Sequence, residues 1–263
     1  MEKIRQKKLF LLDMDGTLYI DQRLFDGAAE FLEAIKRRGG RYLFLTNNSS
    51  RSVGDYQEKM SRLGIPCGAE DFLTSSQATG IYLKQRHAGQ TLYVFGTESL
   101  KQELRSQGFS VTDCYGEDVD CLVMGFDTEL CFQKLEDACR LLNRGVPYIA
   151  TNPDYVCPTW YGSVPDCGSV ADMLKNATGR TPLFIGKPRP DMALLAMRKT
   201  GFSPEETVII GDRLYTDIAC GISAGIDAAL VLSGEATLED LAASEVKPTM
   251  IFRDVQEILG YLE

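Results

Sequence analysis

Two apolar runs in this sequence end in carboxylates whose spacing suggests chemistry. Asp13 and Asp15 follow the run 9–12, and Asp212 follows the run 208–210. Carboxylates gathered at one place repel one another unless a cation offsets their charge. A hard divalent cation such as Mg²⁺, which takes about six oxygen ligands, suits that task. We therefore predict a Mg²⁺ site built from these carboxylates, with the backbone carbonyl of Asp15 turned inward at Gly16.

Hydrogen-bond donors and one cationic side chain follow two further apolar runs. Thr46 and Asn47 follow the run 42–45, and Lys187 follows Phe184 and Ile185. Mg²⁺ and a lysine together suit a phosphate dianion, whose transition state needs electrostatic stabilisation. A carboxylate beside Mg²⁺ can attack phosphorus and form an aspartyl phosphate. Asp15 would then protonate the leaving oxygen and later accept a proton from the attacking water.

Apolar runs alternate with helical periods along most of the chain. Strands that are apolar at successive positions are typical of a parallel sheet covered on both faces. The alternation predicts a doubly wound α/β fold, in which a site lies beyond the carboxyl ends of the strands. The predicted strands are 8–12, 42–45, 208–210, 229–232 and 250–252, and the predicted helices are 28–38, 53–63, 216–224 and 255–262.

The middle of the chain predicts a second α/β domain inserted into the first. Its predicted strands are 92–96, 121–124 and 148–150, with helices after each of the first two. A turn-rich loop is predicted from Asn152 to Gly168, followed by a helix. We place this inserted domain at residues 81–182 and the core at residues 1–80 and 183–263.

The composition excludes several classes of function. The chain has 263 residues, of which 44% are hydrophobic, and its net charge is −9. An acidic protein has no general affinity for nucleic acid or anionic membranes. Neither a membrane span nor a signal peptide is expected, so the expected location is the cytoplasm. Eight cysteines without a C-x-x-C pair, and a single histidine, argue against structural zinc.

These motifs resemble the four motifs of the haloacid dehalogenase (HAD) superfamily, in its phosphatase branch. The matching stretches are Asp13 to Thr17, Thr46, Lys187, and Gly211 to Asp217. The resemblance covers the whole chain and is closest to subclass IIA, which carries an α/β cap domain between the second and third motifs. Within that subclass the sequence resembles the NagD-like and 4-nitrophenylphosphatase branch.

The resemblance implies a role for each matching residue. Asp13 would be the nucleophile and a Mg²⁺ ligand, and Asp15 the general acid/base and a ligand through its carbonyl. Asp212 would be a further Mg²⁺ ligand, with Asp217 orienting bound water or Lys187. The implied phosphate-binding residues are Thr46, Asn47, Asn48 and Lys187. The cap loop 152–168 would set specificity, with Asp154, Cys157 and Trp160 as candidate substrate contacts.

The predicted function is Mg²⁺-dependent hydrolysis of small phosphorylated metabolites. A phosphotransferase or mutase of the same superfamily is an alternative. A phospho-acceptor signalling module also uses an aspartate, a lysine and Mg²⁺, but it is about half as long and lacks the second acid. A binding protein without catalysis would not need the carboxylates. The sequence leaves open the physiological substrate and whether two copies associate through the cap.

Overall fold

The structure is a computed structural model that describes residues 2–159 and 161–263. The chain forms two compact units. The first unit comprises Met1–Thr46, Val53–Leu73 and Lys187–Glu263, and the second comprises Asn47–Ser52 and Thr74–Gly186. The fold class predicted from the sequence, a doubly wound α/β core with an inserted α/β domain, is confirmed. The domain bounds and the specificity role predicted for residues 81–182 stay predictions.

The bounds of the elements follow in chain order. The strands are β1 (Leu9–Leu12), β2 (Tyr19–Ile20), β3 (Arg23–Leu24), β4 (Arg41–Thr46), β5 (Phe72–Thr74), β6 (Thr91–Phe95), β7 (Ser110–Thr112), β8 (Cys121–Met124), β9 (Tyr148–Ala150), β10 (Val156–Thr159), β11 (Gly162–Pro165), β12 (Leu183–Phe184), β13 (Thr207–Gly211), β14 (Asp227–Val231) and β15 (Met250–Phe252). The α-helices are α1 (Glu2–Arg5), α2 (Ala28–Arg37), α3 (Val53–Arg62), α4 (Ser75–Arg86), α5 (Glu98–Ser106), α6 (Phe132–Arg144), α7 (Cys167–Thr178), α8 (Asp191–Thr200), α9 (Ala219–Ala224), α10 (Leu238–Ala243) and α11 (Val255–Leu262).

The sheet of the first unit has the strand order β15-β14-β13-β1-β4-β5. β1 pairs in parallel with both β13 and β4, with Leu12 opposite Ile210 on one side and Phe44 on the other. All four residues of β1 are buried, as an apolar strand between two parallel neighbours requires. Because these three strands share one direction, the residues that follow β1 and β13 begin at the same edge of the sheet.

The sheet of the second unit has the order β12-β9-β8-β6-β7, and its pairs are parallel. Its core packs aromatic and aliphatic residues, among them Tyr93, Phe95 and Leu122, against the apolar faces of α6 and α7. α6 begins after Cys131 and ends at Gly145, whose left-handed backbone closes the helix.

One local prediction was wrong. The stretch predicted as a turn-rich loop contains an antiparallel ribbon, in which Val156 of β10 pairs with Pro165 of β11. The predicted helix 216–224 is confirmed, although it begins with a wide turn in which the Ile218 N–H donates to the Arg213 carbonyl. Regular helix α9 starts only at Ala219. Within the described part of the chain, no helix combines the length and the apolar character needed to cross a membrane.

Candidate active site

Three carboxylates of the first unit lie close together beyond the ends of two neighbouring strands. Asp13 follows β1 and Asp212 follows β13, so the parallel pairing of these strands brings both residues to one edge. Asp217 stands on the wide turn before α9. One carboxylate oxygen of each residue lies within 4.8 Å of the others. We call these three residues, together with Lys187, the carboxylate cluster.

Lys187 supplies the positive charge of the carboxylate cluster. Its Nζ lies 2.6 Å from Asp13 Oδ1 and 2.6 Å from Asp217 Oδ1, and it donates to the Leu45 carbonyl at 3.0 Å. The lysine side chain is only 2% exposed. Burial disfavours its charge, but the two adjacent carboxylates outweigh that effect and raise the pKa of Lys187. The lysine is therefore held as a cation.

The carboxylates of the cluster carry more negative charge than one lysine offsets. Burial, followed by repulsion from Asp217, raises the pKa of Asp212 to about 7. Burial also raises the pKa of Asp13 well above its ordinary value; Lys187 opposes this shift, and the two neighbouring carboxylates add to it. Such shifts mark a site that lacks positive charge.

Among the described residues, one buried carboxylate oxygen of the cluster has no hydrogen-bond partner. Asp212 Oδ2 accepts from the backbone N–H of Glu235 at 2.7 Å. Asp212 Oδ1 is buried and without a partner among the described residues. Buried polar atoms are almost always paired, so this oxygen requires an explanation. A hard cation bound between Asp212 and Asp13 provides one, since carboxylate oxygens are the ligands that Mg²⁺ prefers.

Gly16 is required by its surroundings. Its φ of 83° lies in the left-handed region. A Cβ atom at this position would overlap the Asp212 carboxylate. The Ser233 hydroxyl donates to the Gly16 carbonyl at 2.8 Å and fixes the turn. The glycine after Asp15 thus allows the loop after β1 and the Asp212 loop to approach each other.

The side chain of Asp15 is 43% exposed and has two partners in the first unit. The Tyr19 hydroxyl lies 3.3 Å from its Oδ2, and Lys59 Nζ lies 3.5 Å from its Oδ1. Sequence analysis missed both Tyr19 and Lys59. A signal for Lys59 was present, because it stands three residues after Tyr56 and one before Met60 on the buried face of α3.

Thr46 is the last residue of β4 and is buried. Its hydroxyl lies 3.5 Å from the hydroxyl of Tyr56. Because β4 is the other parallel neighbour of β1, Thr46 is placed at the edge from which Asp13 emerges. The predicted phosphate contact of Thr46 stays a prediction.

The residues after Thr46 belong to the second unit. The Asn47 amide donates to Asp154 Oδ2 at 2.7 Å, and the Ser75 hydroxyl donates to the Asn47 carbonyl at 2.7 Å. Asn48 Oδ1 accepts from the backbone N–H and hydroxyl of Ser50. These bonds orient both asparagines within the second unit. Their predicted phosphate contacts stay predictions.

Asp154 is part of a larger buried network, which we call the amide network. Asn152 donates to Asp154 Oδ2 at 2.9 Å and to Asp166 Oδ1 at 3.2 Å. The Ser49 and Thr151 hydroxyls lie 2.8 Å apart, and Ser49 Oγ accepts from the Phe126 N–H. The members of the network are Asn47, Ser49, Thr151, Asn152, Asp154 and Asp166.

The structure says less about Cys157 and Trp160, the other two substrate contacts predicted in the cap loop. Cys157 lies on β10 with an intermediate exposure, and its thiol contacts the Pro158 carbonyl. Trp160 lies outside the described residues. Substrate contact by either residue stays a prediction.

Comparison with known proteins supports the resemblance stated above. A family model of haloacid dehalogenase-like hydrolases matches residues 10–110, and a second model, described as HAD-hydrolase-like, matches residues 184–258. The acid sugar phosphatase of Staphylococcus aureus is 34% identical over 260 residues, which cover 99% of this chain and 100% of the relative.

Two solved structures extend the comparison. The 4-nitrophenylphosphatase of Thermotoga maritima is 38% identical, with a TM-score of 0.95 over 99% of both chains. The glycerol phosphate phosphatase of Mycobacterium tuberculosis, solved in complex with magnesium, is 30% identical, with a TM-score of 0.89 over 96% of this chain and 77% of that one. The prediction of a phosphatase is confirmed. The chain therefore belongs to the haloacid dehalogenase-like hydrolases, as a phosphatase of the NagD-like and 4-nitrophenylphosphatase branch.

Proposed function

We propose that this phosphatase hydrolyses phosphomonoesters of small metabolites through an aspartyl phosphate on Asp13, with Mg²⁺ as cofactor. The observation that carries the proposal is the unbalanced charge of the carboxylate cluster. Three carboxylates face one lysine, and Asp212 Oδ1 is buried without a partner in the described part of the chain. A phosphoryl group and a divalent cation together would complete this arrangement.

The cation would be held by Asp13, Asp212 and the backbone carbonyl of Asp15. When bound, Mg²⁺ supplies positive charge that stabilises the phosphoryl group during transfer. The magnesium complex of the related glycerol phosphate phosphatase supports this choice of cation. Asp217 is the third carboxylate of the cluster, but its two oxygens already bind Lys187 and the Arg213 N–H. It is therefore assigned to positioning Lys187.

In the first step the Asp13 carboxylate attacks phosphorus, and the bond between phosphorus and the ester oxygen breaks. Asp15 gives its proton to that leaving oxygen. In the second step water attacks the phosphorus of the aspartyl phosphate, and Asp15 takes up the proton of that water. Inorganic phosphate leaves and Asp13 is restored. Lys187 offsets charge on Asp13 and on the phosphoryl group through both steps.

Thr46, Asn47 and Asn48 are proposed to bind the phosphoryl oxygens. The second unit is proposed to select the leaving group, with Asp154, Cys157 and Trp160 as candidate contacts. The relatives named for acid sugar, nitrophenyl and glycerol phosphate substrates support small phosphorylated compounds as the substrate class. They also favour hydrolysis over phosphotransfer to a second sugar.

The test is phosphate release from a panel of phosphomonoesters after EDTA treatment, with and without added Mg²⁺. The panel contains sugar phosphates, glycerol phosphate, nucleoside monophosphates, phosphoglycolate, pyridoxal phosphate and 4-nitrophenyl phosphate. We expect Mg²⁺-dependent release, and a loss of about 10⁴-fold or more in Asp13→Asn, since the nucleophile is removed. Asp26→Asn, which changes an exposed carboxylate of the same unit, is the matched control.

Acid quenching during turnover should trap the phosphoryl group on the wild-type protein and not on Asp13→Asn. Circular dichroism checks that the variant keeps its fold. Turnover retained by a folded Asp13→Asn variant would remove the nucleophile assignment. Release that is unaffected by EDTA would remove Mg²⁺ from the proposal.

A further inference from the structure

We propose that Lys59 and Tyr19 are positioning residues that hold the Asp15 carboxylate for proton transfer, an inference that rests on the proposed function. Each oxygen of Asp15 has its own partner. Lys59 Nζ approaches Oδ1 at 3.5 Å, and the Tyr19 hydroxyl donates to Oδ2 at 3.3 Å. Because a different residue contacts each oxygen, the orientation of the carboxylate plane is fixed as well as its position.

Lys59 also contacts Tyr19 directly. Its Nζ lies 3.8 Å from the centroid of the Tyr19 ring, which is cation–π distance. The three side chains therefore form a closed triangle of contacts. Tyr19 is held in turn by its backbone, because its carbonyl accepts from the Gly16 N–H at 2.8 Å. The same turn thus carries both the carboxylate and one of its partners.

The tyrosine is suited to act as a donor. Its side chain is buried, and a phenol, whose ordinary pKa is about 10, keeps its proton at neutral pH. The Tyr19 hydroxyl therefore donates a hydrogen bond to the Asp15 carboxylate. A phenylalanine in its place would keep the ring under Lys59 and remove only this hydrogen bond.

Packing alone does not explain a lysine at position 59. Its side chain is 8% exposed, and it occupies the buried face of α3 beside Tyr56 and Met60. Taking an ammonium group out of water is costly, and an apolar residue of similar volume often serves stability equally well or better. A charge at this position is explained by its carboxylate partner.

Positioning matters here because Asp15 is nearly half exposed. An exposed carboxylate on a flexible χ1 turns freely in water, and proton transfer requires the carboxyl group within hydrogen-bond reach of the leaving oxygen. Holding a group in its reactive geometry removes an entropic cost from the reaction. Lys59 and Tyr19 act through Asp15 and need not touch the substrate.

The experiment compares kcat/KM for an alkyl phosphate, glycerol phosphate, with that for 4-nitrophenyl phosphate. The ratio kcat/KM reports the steps up to departure of the leaving group, and nitrophenolate hardly needs a proton to leave. For Lys59→Met we expect a loss of about 10- to 100-fold with glycerol phosphate and less than about threefold with the nitrophenyl ester. Lys59→Arg should restore most of the loss, and Tyr19→Phe should show a weaker form of the same selectivity.

The second half-reaction gives an independent readout. Asp15 must take a proton from water whichever ester formed the aspartyl phosphate. With 4-nitrophenyl phosphate, Lys59→Met should therefore lower kcat and KM together while kcat/KM is nearly kept. A burst of nitrophenolate in the first turnover should become visible. A variant that only lowers the amount of folded enzyme would reduce kcat at constant KM and show no new burst.

Lys36→Met is the matched control. Lys36 lies in the same unit with its Nζ 5.1 Å from the centroid of the Tyr42 ring, and it forms an ion pair of 3.8 Å with Glu33. Like Lys59, Lys36 contacts an aromatic ring and a carboxylate. Its partner Glu33, however, is not a predicted site residue. Its kcat/KM for both esters should equal that of the wild type.

Asp15→Asn separates failure of the inference from failure of the proposed function. If Asp15→Asn lowers kcat/KM equally for both esters, the acid assignment falls and the positioning role falls with it. If Asp15→Asn is selective and Lys59→Met is equal on both esters or without effect, only the positioning role is overturned. The double variant should be no worse than Asp15→Asn alone, because Lys59 acts through that carboxylate.

Discussion

Each α/β unit buries a group of polar side chains in the segments that follow its strands, and the two groups differ in how they are satisfied. In the amide network, Asp154 accepts amide N–H groups from Asn47 and Asn152. Asp166 accepts from Asn152 and from the first N–H of α7, where a negative charge is also favoured by the helix dipole. Within the described part of the chain, no side-chain oxygen or nitrogen of the amide network is buried without a partner.

The carboxylate cluster is satisfied only in part. Lys187 serves Asp13 and Asp217, and a backbone N–H serves one oxygen of Asp212. The other oxygen of Asp212 is unpaired among the described residues, and the pKa values of two carboxylates are raised. Buried carboxylates alone therefore do not identify a site. A shortage of donors and positive charge around them does.

The largest expected effect comes from removing the cation of the carboxylate cluster. Lys187→Met leaves Asp13 and Asp217 without their shared cation, and breaking such a buried pair costs about 3–5 kcal/mol of unfolding free energy. Phosphatase activity should fall to background. Urea denaturation and phosphate release measure the two effects.

Lys7→Met is the control for Lys187→Met, since Lys7 is also buried and pairs with Asp227 at 2.7 Å. It should lose stability and keep the specific activity of its folded fraction. Wild-type stability in Lys187→Met would contradict the inference that the carboxylate cluster, unlike the amide network, depends on one cation.

The next largest expected effect is a gain in the stability of the Mg²⁺-free protein when the charge of Asp212 is removed. Asp212 has a pKa of about 7 in the folded protein, against about 4 in an unfolded chain. The folded state therefore binds this proton more tightly, and the stability of the Mg²⁺-free protein should fall as the pH rises from about 4 through about 7. Asp212→Asn removes this loss and should stabilise the Mg²⁺-free protein at pH 8 by on the order of 2 kcal/mol.

Denaturation in EDTA at pH 5 and pH 8 tests this prediction. Added Mg²⁺ should raise the Tm of the wild type and leave that of Asp212→Asn unchanged, because the variant lacks a ligand. A variant that is less stable than the wild type at pH 8 in EDTA would show that Asp212 is already satisfied within the protein.

The smallest effect is expected in the amide network. Asp154→Asn replaces an acceptor of two amide N–H groups with a side chain that presents its own N–H₂, and the loss is about 1–2 kcal/mol of unfolding free energy. The rise in Tm on adding Mg²⁺ should be the same as in the wild type. A changed response to Mg²⁺ would mean that the amide network takes part in cation binding.

The sequence predicted the framework because its strands are apolar at successive positions and its site residues follow them. The ribbon β10–β11 was missed because its prolines and glycine suggest turns. Pro158 and Pro165 are tolerated there because a two-stranded ribbon has free edges, where a missing N–H costs little. Whether a strand has a free edge depends on the sheet that it joins and cannot be inferred from the residues of the strand.

The site was predicted unevenly for a similar reason. Asp13, Asp212, Asp217 and Lys187 come together because each follows a recognisable strand. Lys59 was missed because a lysine in a helix is usually solvated, although its spacing from Tyr56 and Met60 places it on the buried face of α3. Asp154, which accepts from the Asn47 amide, lies on a loop more than a hundred residues away, which local patterns do not connect.

The division of the chain has a consequence for engineering. Residues 47–52 fold with the second unit although they lie outside the long segment 74–186. A graft of that segment alone onto a related phosphatase would separate the Phe126 N–H and the Thr151 hydroxyl from Ser49. The transplanted segment would then have to pack against the residues of the host that correspond to the hexapeptide 47–52. Transfer of the second unit between relatives therefore calls for two pieces, in which residues 47–52 travel with the segment 74–186.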